Sequence, residues 1–273
     1  MNVRTLQPSG IDVPVRELFS LEGRVALVTG GAGRYGRQIS IALAQAGATV
    51  IVASRCQEKC EAFASKVREA GWKAEARALD LTSEESVNQV ATAIKARSGK
   101  IDILFNNAVA VRAEPMEEHS VEEWALAMEC NSMGLYRACR VFGELMASRG
   151  TGSIINVASI YGVVSPEFGI YDGHIEMTNP PSYGFAKAGM LQLTRYLAVY
   201  FGKFGVRVNS LSPGGLCSPD MPMQFVENYS KRTSLGRMAG PNDLKGAAVF
   251  LASDASAYVT GHNLLVDGGY TAL

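Results

Sequence analysis

The sequence predicts an α/β protein with one doubly wound, seven-stranded parallel sheet and helices on both of its faces. Seven short apolar runs alternate with longer segments in which apolar residues recur every three or four positions. Alternating strands and helices give a parallel sheet, because parallel neighbours are joined by right-handed helical crossovers. The 273 residues contain no repeat, no low-complexity tract and no visible join between two units, so we expect a single domain.

The predicted strands are mostly apolar, as strands covered on both faces are. They are residues 25–29, 49–53, 73–79, 101–105, 152–157, 206–211 and 263–266. The predicted helices are residues 34–46, 57–70, 84–98, 121–148 and 183–204. Residues 1–20 precede this alternation and are expected to form a proline-containing arm, which leaves residues 21–273 for the domain. In such sheets ligands bind beyond the carboxyl ends of the strands, where most of the polar and glycine motifs fall.

The composition argues against several classes of function. Lys plus Arg equal Asp plus Glu at 26 each and 47% of residues are hydrophobic, so neither disorder nor a nucleic-acid partner is expected. No run approaches the ~18 apolar residues of a membrane helix. Charged residues and prolines interrupt the first 20 positions, against a secretory signal, so we expect a cytoplasmic protein. Five cysteines and three histidines show no metal-ligand spacing, and no metal site is predicted.

Three glycines mark a candidate phosphate-binding turn. Gly30, Gly33 and Gly36 lie between the first predicted strand and the helix that follows it. Absent side chains there let the backbone approach a pyrophosphate at the helix N-terminus. A turn that needs glycine only for packing and positive φ is the alternative, but the strand before it and the amphipathic helix after it favour dinucleotide binding.

Tyr183 and Lys187 form the candidate catalytic pair. Four positions apart at the start of a predicted helix, they share one face, about 5–6 Å apart at Cβ. An ammonium that close is expected to stabilise the phenolate and lower the pKa of Tyr183, so that the phenol exchanges a proton with a substrate hydroxyl or carbonyl. Ser159 follows a predicted strand and could hold the same oxygen, although a serine there is, taken alone, usually a turn residue.

The ordered motifs resemble the short-chain dehydrogenase/reductase family, in its single-domain branch, over roughly residues 19–272. The motifs are Thr29-Gly30-Gly31-Ala32-Gly33-Arg34-Tyr35-Gly36, Asp80-Leu81, Asn106-Asn107-Ala108, Asn131, Ser159, Tyr183-Gly184-Phe185-Ala186-Lys187, Pro213-Gly214 and Asp267-Gly268-Gly269. In the first of these Arg34 fills the usual place of the middle glycine, a spacing similar to that of the longer sugar-nucleotide branch. The resemblance implies a Rossmann-type fold and a nicotinamide-dependent oxidoreductase that interconverts a secondary alcohol and a ketone by hydride transfer.

The resemblance also implies roles for individual residues. Asn131, Ser159, Tyr183 and Lys187 match the family tetrad, whose members serve respectively in water relay, substrate orientation, acid/base chemistry, and tyrosine activation with ribose binding. The expected cofactor-binding residues, beside Tyr183 and Lys187, are Gly30, Gly33, Arg34, Tyr35, Gly36, Ser54, Arg55, Asp80, Leu81, Asn107, Ala108, Pro213, Gly214, Leu216 and Ser218.

The end of the second predicted strand bears on the choice of cofactor. Ser54 stands where an acidic residue would grip the adenosine ribose hydroxyls, so no carboxylate is available there. Arg55, joined by Arg34, could instead neutralise a 2′-phosphate, which favours NADP(H) over NAD(H). A solvated Arg55 at a helix start is the alternative, and NAD(H) would then bind without a strong discriminator. By resemblance Asp80 contacts the adenine amino group, although a helix-capping aspartate would look the same.

Residues 163–181 are interpreted as an insertion beside the active site. Tyr183 follows Ser159 by 24 positions, about twice the separation usual in the family. The segment offers carboxylates, aromatic side chains and His174, groups that hydrogen-bond and stack on polyhydroxylated ligands. We therefore expect a sugar, sugar acid or polyol, held by Ser159, Tyr183 and His174, although a surface-loop histidine without this role is the commoner case. Residues 216–238 are expected to form a mobile lid over the substrate.

Two other functions stay open at this level. One is an NAD-dependent, sugar-modifying lyase or epimerase with the same Tyr-Lys pair, favoured by the glycine spacing but normally requiring an additional C-terminal substrate region. The other is a non-catalytic cofactor-binding protein, against which the complete tetrad argues. By resemblance the helices at 121–148 and 183–204 pack between subunits, so a homotetramer or homodimer with a small-molecule substrate, without nucleic acid or membrane, is expected.

Overall fold

The computed structural model describes residues 13–273, which form one sheet of seven parallel strands. Along the sheet the strands run in the order β3-β2-β1-β4-β5-β6-β7. Their bounds are β1 (Val25–Thr29), β2 (Thr49–Ser54), β3 (Ala74–Ala78), β4 (Ile103–Asn106), β5 (Gly152–Val157), β6 (Val206–Pro213) and β7 (Asn263–Val266). The chain starts in the middle of the sheet, builds outward to β3, and then returns to build the other side. This is the predicted doubly wound order, so the fold class is confirmed.

Helices cover the sheet on both faces. They are α1 (Val15–Leu18), α2 (Arg34–Gln45), α3 (Gln57–Glu69), α4 (Glu84–Ser98), α5 (Val121–Met128), α6 (Leu135–Ala147), α7 (Pro181–Gly202), α8 (Met223–Lys231) and α9 (Lys245–Ala252). Helices α4, α6 and α7 share one core layer with Leu27 of β1, and α2, α3 and α9 share the other with Val28. Successive residues of β1 point to opposite layers, and all five are therefore buried. None of the described helices is long and apolar enough to cross a bilayer.

The predicted helix at 121–148 is continuous, but its middle is not α-helical. A π-helical segment, Glu129–Gly134, separates α5 from α6. The wider turn carries Asn131 inward, where it is buried and bonded to the backbone of Ala110. The apolar spacing used for the prediction continues through this segment, so the pattern did not indicate the change of helix type.

A chain of buried polar side chains crosses the core beside helix α7. The Asn106 amide donates to Asn156 Oδ1 at 2.9 Å, and the Asn156 amide donates to Thr194 Oγ1 at 2.9 Å. The Ser210 hydroxyl donates to the same Thr194 oxygen at 2.7 Å. All four side chains are buried, and each depends on its neighbour for a hydrogen-bond partner. The chain thereby ties strands β4, β5 and β6 to helix α7.

The three special segments predicted from the sequence can be placed in part. Residues 1–12 of the predicted arm lie outside the described residues. The remaining part of the arm, residues 13–20, contains helix α1. The insertion at 163–181 forms two short 3₁₀ turns, and the predicted lid at 216–238 contains α8. These two segments pack together in an aromatic cluster that includes Tyr171 and Phe225. Whether 216–238 moves as a lid stays a prediction.

Asn156→Val is expected to destabilise the protein by about 2–3 kcal/mol, because it removes the buried hydrogen bonds to Asn106, Cys139 and Thr194 and leaves the Asn106 amide without its oxygen acceptor. Urea unfolding followed by circular dichroism measures the loss. Asn88→Val, at an exposed position of α4, is the matched control and should change stability by less than about 1 kcal/mol. Equal losses in the two variants would contradict a stabilising role for the buried chain.

Candidate active site

A cavity of about 600 Å³ opens at the carboxyl edge of the sheet. Its wall combines the first residues of α2, the ends of β5 and β6, the start of α7, the insertion and α8. This volume is typical of small-molecule sites. Motifs that are far apart in the sequence therefore converge on one cavity, as expected for ligand binding beyond the strand ends.

The turn after β1 has room only for glycine at two positions. Gly30 has a φ of +63°, and a Cβ on Gly36 would lie 2.1 Å from the Gly30 carbonyl oxygen. Helix α2 begins at Arg34, with Gly33 as its N-cap residue, so Gly36 lies in the first turn of the helix. A bare backbone turn at a helix N-terminus is a cradle that the pyrophosphate of a dinucleotide fits. The packing requirement and the fit to a dinucleotide therefore hold for the same glycines.

Asn107 braces this turn from the end of β4. Its side-chain amide donates to the carbonyl oxygens of Thr29 and Gly30, at 3.0 Å each. The backbone N–H groups of Asn107 and Ala108 both donate to the Thr29 hydroxyl at 3.1 Å. Asn107 and Ala108, which are predicted from the sequence to bind the cofactor, thus hold the phosphate turn against the end of β4.

Tyr35 joins the phosphate turn to the turn after β6, a contact that the sequence did not reveal. Its hydroxyl donates to the Gly214 carbonyl oxygen at 2.6 Å. Burial raises the pKa of Tyr35, so the phenol stays protonated and keeps this bond. Pro213, Gly214 and Leu216 line the cavity, whereas Ser218 is not among its described lining residues.

The residues expected at the adenine end lie on neighbouring strand ends. The Ser54 hydroxyl donates to the Cys56 carbonyl oxygen at 3.3 Å, which turns it toward its own loop. Arg55 is exposed. Hydrogen bonds from Thr82 lower the pKa of Asp80, and the charge of Arg55 lowers it further. Arg55 and Asp80 thus lie near each other, with Leu81 buried beside them.

Lys187 is buried, with 4% of its surface exposed. Its Nζ donates to the Val157 carbonyl oxygen at 2.6 Å and lies 5.7 Å from the centre of the Tyr183 ring. Burial lowers the pKa of Lys187 to about 8. Burial raises the pKa of Tyr183. The hydrogen bond with the Ser159 hydroxyl lowers this pKa, but by less than burial raises it. The expectation that the ammonium lowers the pKa of Tyr183 is therefore wrong for the cofactor-free protein, because desolvation of the phenol dominates.

The structure brings Ser159, Tyr183 and Lys187 together in the cavity wall. The Ser159 hydroxyl accepts a hydrogen bond from the Tyr161 backbone N–H at 3.1 Å, which holds it at the end of β5. Asn131 is buried and is not among the described lining residues of the cavity. Its side chain accepts from the Ala110 N–H at 2.8 Å and donates to the Ala110 carbonyl at 2.6 Å, so it supports the loop after β4.

The insertion contributes to the cavity, but through residues other than the one predicted. His174 is not among the described lining residues, and its Nδ1 lies 3.5 Å from Glu176 Oε1. Glu176 and Tyr171 line the cavity instead, together with Asn179. The Tyr171 hydroxyl bonds to the Tyr161 hydroxyl and accepts from the Asn179 amide, both at 3.1 Å. The polar composition of the insertion indicated a binding wall, but not which side chains form it.

Comparison with known proteins assigns the family. Residues 35–271 match the family model described as "Enoyl-(Acyl carrier protein) reductase". The chain is 35% identical over 259 residues to D-threitol dehydrogenase of Mycolicibacterium smegmatis, covering 93% of this chain and 95% of that protein. The chain belongs to the short-chain dehydrogenase/reductase family. The predicted family is confirmed.

Further short-chain dehydrogenases are similar over nearly the whole chain. Cis-4-hydroxycyclohexanecarboxylate dehydrogenase of Sinomonas cyclohexanicum is 35% identical over 254 residues, 92% of this chain and 97% of that one. The crystal structure of a gluconate 5-dehydrogenase from Burkholderia cenocepacia, in complex with NADP and tartrate, matches with a TM-score of 0.86 at 30% identity, covering 95% of this chain and 100% of that one. The protein is accordingly a nicotinamide-dependent short-chain dehydrogenase/reductase that acts on CH–OH groups.

Lys187→Met is expected to remove a pH-dependent contribution to the free energy of unfolding, which arises because the Lys187 amine is buried. Burial lowers the pKa of Lys187 from 10.5 to about 8 in the folded protein. Between these values the unfolded chain binds more protons than the folded one, so the stability of the wild type rises with pH. Its free energy of unfolding relative to the variant should increase by about 2 kcal/mol from pH 7.5 to 9.5, measured by urea titration without cofactor. A difference that stays constant over this range would contradict the lowered pKa.

Proposed function

We propose that the protein interconverts a secondary alcohol and a ketone on a polyhydroxylated substrate, with Tyr183 as the acid/base group. The observation that carries this proposal is the convergence of Tyr183 and Ser159 on one cavity, with the buried Lys187 ammonium beside them. When bound, the nicotinamide supplies the hydride acceptor or donor. The residues of the chain bind and orient the substrate oxygen and move its proton.

In the oxidation direction the substrate hydroxyl lies against Tyr183 and Ser159. The Tyr183 oxygen accepts the hydroxyl proton as the carbon loses hydride, and in the reverse direction the phenol returns that proton to the carbonyl oxygen. The Ser159 hydroxyl is positioned by the Tyr161 N–H and donates to the same oxygen. The Lys187 ammonium, whose Nζ lies 5.7 Å from the centre of the Tyr183 ring, would offset part of the cost that burial imposes on the phenolate, and it would hold the ribose of a bound cofactor. Asn131 holds the loop at Ala110 and supports the path of the proton to water.

The wall of the insertion supports a carbohydrate-like substrate. Tyr161, Tyr171 and Asn179 bring two hydroxyl groups and an amide to the cavity, and these groups hydrogen-bond to hydroxylated ligands. The relative from M. smegmatis is a D-threitol dehydrogenase, and the structural neighbour from B. cenocepacia is a gluconate 5-dehydrogenase. We propose that residues 216–238 close over the substrate, because Met221 and residues of α8 line the same cavity.

Tyr183→Phe is expected to lower kcat by about 10²–10⁴-fold, because the proton has no acceptor, while the Kd for NADP⁺ changes little. Absorbance of the reduced nicotinamide measures turnover, and quenching of protein fluorescence measures cofactor binding. Tyr258→Phe, at a fully exposed position, is the control and should keep wild-type turnover. Turnover by Tyr183→Phe at the wild-type rate would rule out the acid/base role.

We propose NADP(H) as the preferred cofactor. Arg55 is exposed at the end of β2, close enough to Asp80 to act on its pKa. Arg34 starts α2 and lines the cavity, with its guanidinium 3.9 Å from Asp220. Two guanidinium groups at this edge support recognition of a 2′-phosphate. The gluconate 5-dehydrogenase neighbour is described in complex with NADP.

Arg55→Ala is expected to reduce kcat/KM for NADP⁺ by about 10–100-fold, the value of a charge-assisted hydrogen bond, and to leave kcat/KM for NAD⁺ within about twofold. Steady-state kinetics with each cofactor measure the two values. Lys59→Ala removes a nearby exposed cation of α3 and should leave both unchanged. A wild-type enzyme that works better with NAD⁺, or an Arg55→Ala variant that loses both activities equally, would contradict the preference.

We propose that the chain forms a homodimer or homotetramer through helices α5, α6 and α7. Apolar side chains are exposed along these helices, including Val121, Leu126, Tyr136, Phe185, Tyr196 and Val199. Single exposed apolar residues are ordinary, but a set of them on helices that contact one another is typical of protein interfaces.

A further inference from the structure

The charges around the cavity bear on which substrates it accepts. Three of its described lining residues are ionisable with charge at neutral pH, and only Glu176 belongs to the insertion. Arg34 lies on the phosphate turn and has Asp220 as its neighbour. Lys187 is buried beside Tyr183 and donates to the Val157 carbonyl. In the proposed function Arg34 therefore contacts the cofactor and Lys187 acts at the reacting oxygen. The only charged group that the insertion adds to the described cavity wall is the carboxylate of Glu176.

A further cation lies close to the cavity but is held away from it. Val111 and Ala113 line the cavity, whereas Arg112 between them does not. Its Nε lies 3.4 Å from Glu114 Oε2 and its Nη1 lies 3.5 Å from Glu123 Oε1. Glu114 is buried, and its nearest partner is His119, whose Nδ1 lies 2.7 Å from Glu114 Oε1. Arg112 thus lies between two carboxylates, with its side chain 69% exposed, and it is not among the described lining residues of the cavity.

The rest of the substrate end is uncharged. The hydroxyls of Tyr161 and Tyr171 and the Asn179 amide bond to one another, and all three residues line the cavity. The remaining wall is largely apolar and includes Met177 and Phe225. Such a wall can bind hydroxyl groups and carbon chains. It offers no counter-charge to a carboxylate that loses its water on entry, and loss of that water is costly.

We infer that the cavity selects uncharged hydroxyl compounds and rejects carboxylated ones, and that Glu176 is a specificity-determining residue for this choice. The inference rests on the proposed function, since it names the substrate class of the same site. The negative charge of Glu176 repels the carboxylate of an acidic substrate. The Glu176 side chain is 70% exposed, so solvent screens this repulsion and the larger part of the rejection comes from the missing cation.

The test compares two pairs of alcohols, each consisting of a neutral compound and a related compound that carries a carboxylate. D-Glucitol and D-gluconate form the polyhydroxylated pair, and cyclohexanol and cis-4-hydroxycyclohexanecarboxylate form the alicyclic pair. The kcat/KM of each compound is measured with NADP⁺ and with NAD⁺ in wild type, E176Q, E176K and D172N. Asp172 is the matched control because it is an exposed carboxylate of the same insertion that does not line the cavity.

The neutral member of a pair should exceed its acid by about 100-fold in kcat/KM, the cost of an uncompensated buried charge. E176Q should narrow this ratio by about fivefold, as expected for a screened charge, and E176K should narrow it further. D172N should leave it unchanged. These changes should lie in KM, because Glu176 is placed away from Tyr183 and Lys187 in the proposed chemistry.

The outcomes separate the inference from the proposed function. Equal or faster oxidation of the acids by the wild type, or the same ratio in E176Q and E176K as in the wild type, overturns the inference and leaves the proposed chemistry intact. Oxidation of cyclohexanol but not of its acid, without oxidation of D-glucitol, supports the charge selection and overturns the polyhydroxylated substrate class. Absence of turnover with all four compounds and both cofactors contradicts both.

Discussion

The hydrogen bond from the buried Lys187 ammonium to the Val157 carbonyl oxygen is the constraint on which the arrangement of the site depends. It joins the end of β5 to helix α7, the two elements that carry Ser159 and Tyr183. The turn that follows β5 also lies close to α7, since a Cβ on Gly162 would lie 2.8 Å from the Lys187 carbonyl carbon. Two turns further along α7, Thr194 is tied to Asn156 of β5. Helix α7 is thus held against the sheet at two places by buried polar contacts, which tolerate little displacement.

The same burial that fixes this geometry acts against charge at both members of the catalytic pair. It lowers the pKa of Lys187 and raises that of Tyr183, so the uncharged forms of both gain relative to the ammonium and the phenolate. The Ser159 hydroxyl opposes the shift at Tyr183. A bound substrate oxygen adds a further hydrogen-bond partner at this position. In the proposed chemistry, proton transfer to Tyr183 is therefore favoured only when all hydrogen-bond partners of its oxygen are in place, which couples this step to correct substrate binding.

The sequence was sufficient for the sheet and for the placement of the catalytic group, because both depend on periodicity and on strand ends. It was insufficient for features that depend on how side chains pack in the folded protein. Spacing put Tyr183 beside Lys187, but spacing contains no information about burial, and burial set the direction of the Tyr183 pKa. The π-helical segment at Asn131 was missed because apolar spacing persists through it. In the insertion there is no period to follow, and the sequence did not indicate that Tyr171 packs against Phe225 or that Glu176, rather than His174, lines the cavity.

In the proposed function, the chemistry of the site and its selection of substrates rest on different elements of the structure. Tyr183, Lys187 and Ser159 lie on or directly after α7 and β5, whose positions are fixed by the buried contacts described above. Selection rests on the insertion, which is made of short turns and packs on α8. Changes in such surface segments are tolerated more readily than changes in the core. Relatives that share over 90% of this chain's length act, by their names, on a polyol and on an alicyclic acid, as this separation would allow. Glu176, exposed and in contact with His174, can therefore change without disturbing the catalytic group, whereas Tyr171 cannot, because its hydroxyl holds both Tyr161 and Asn179 in the cavity wall.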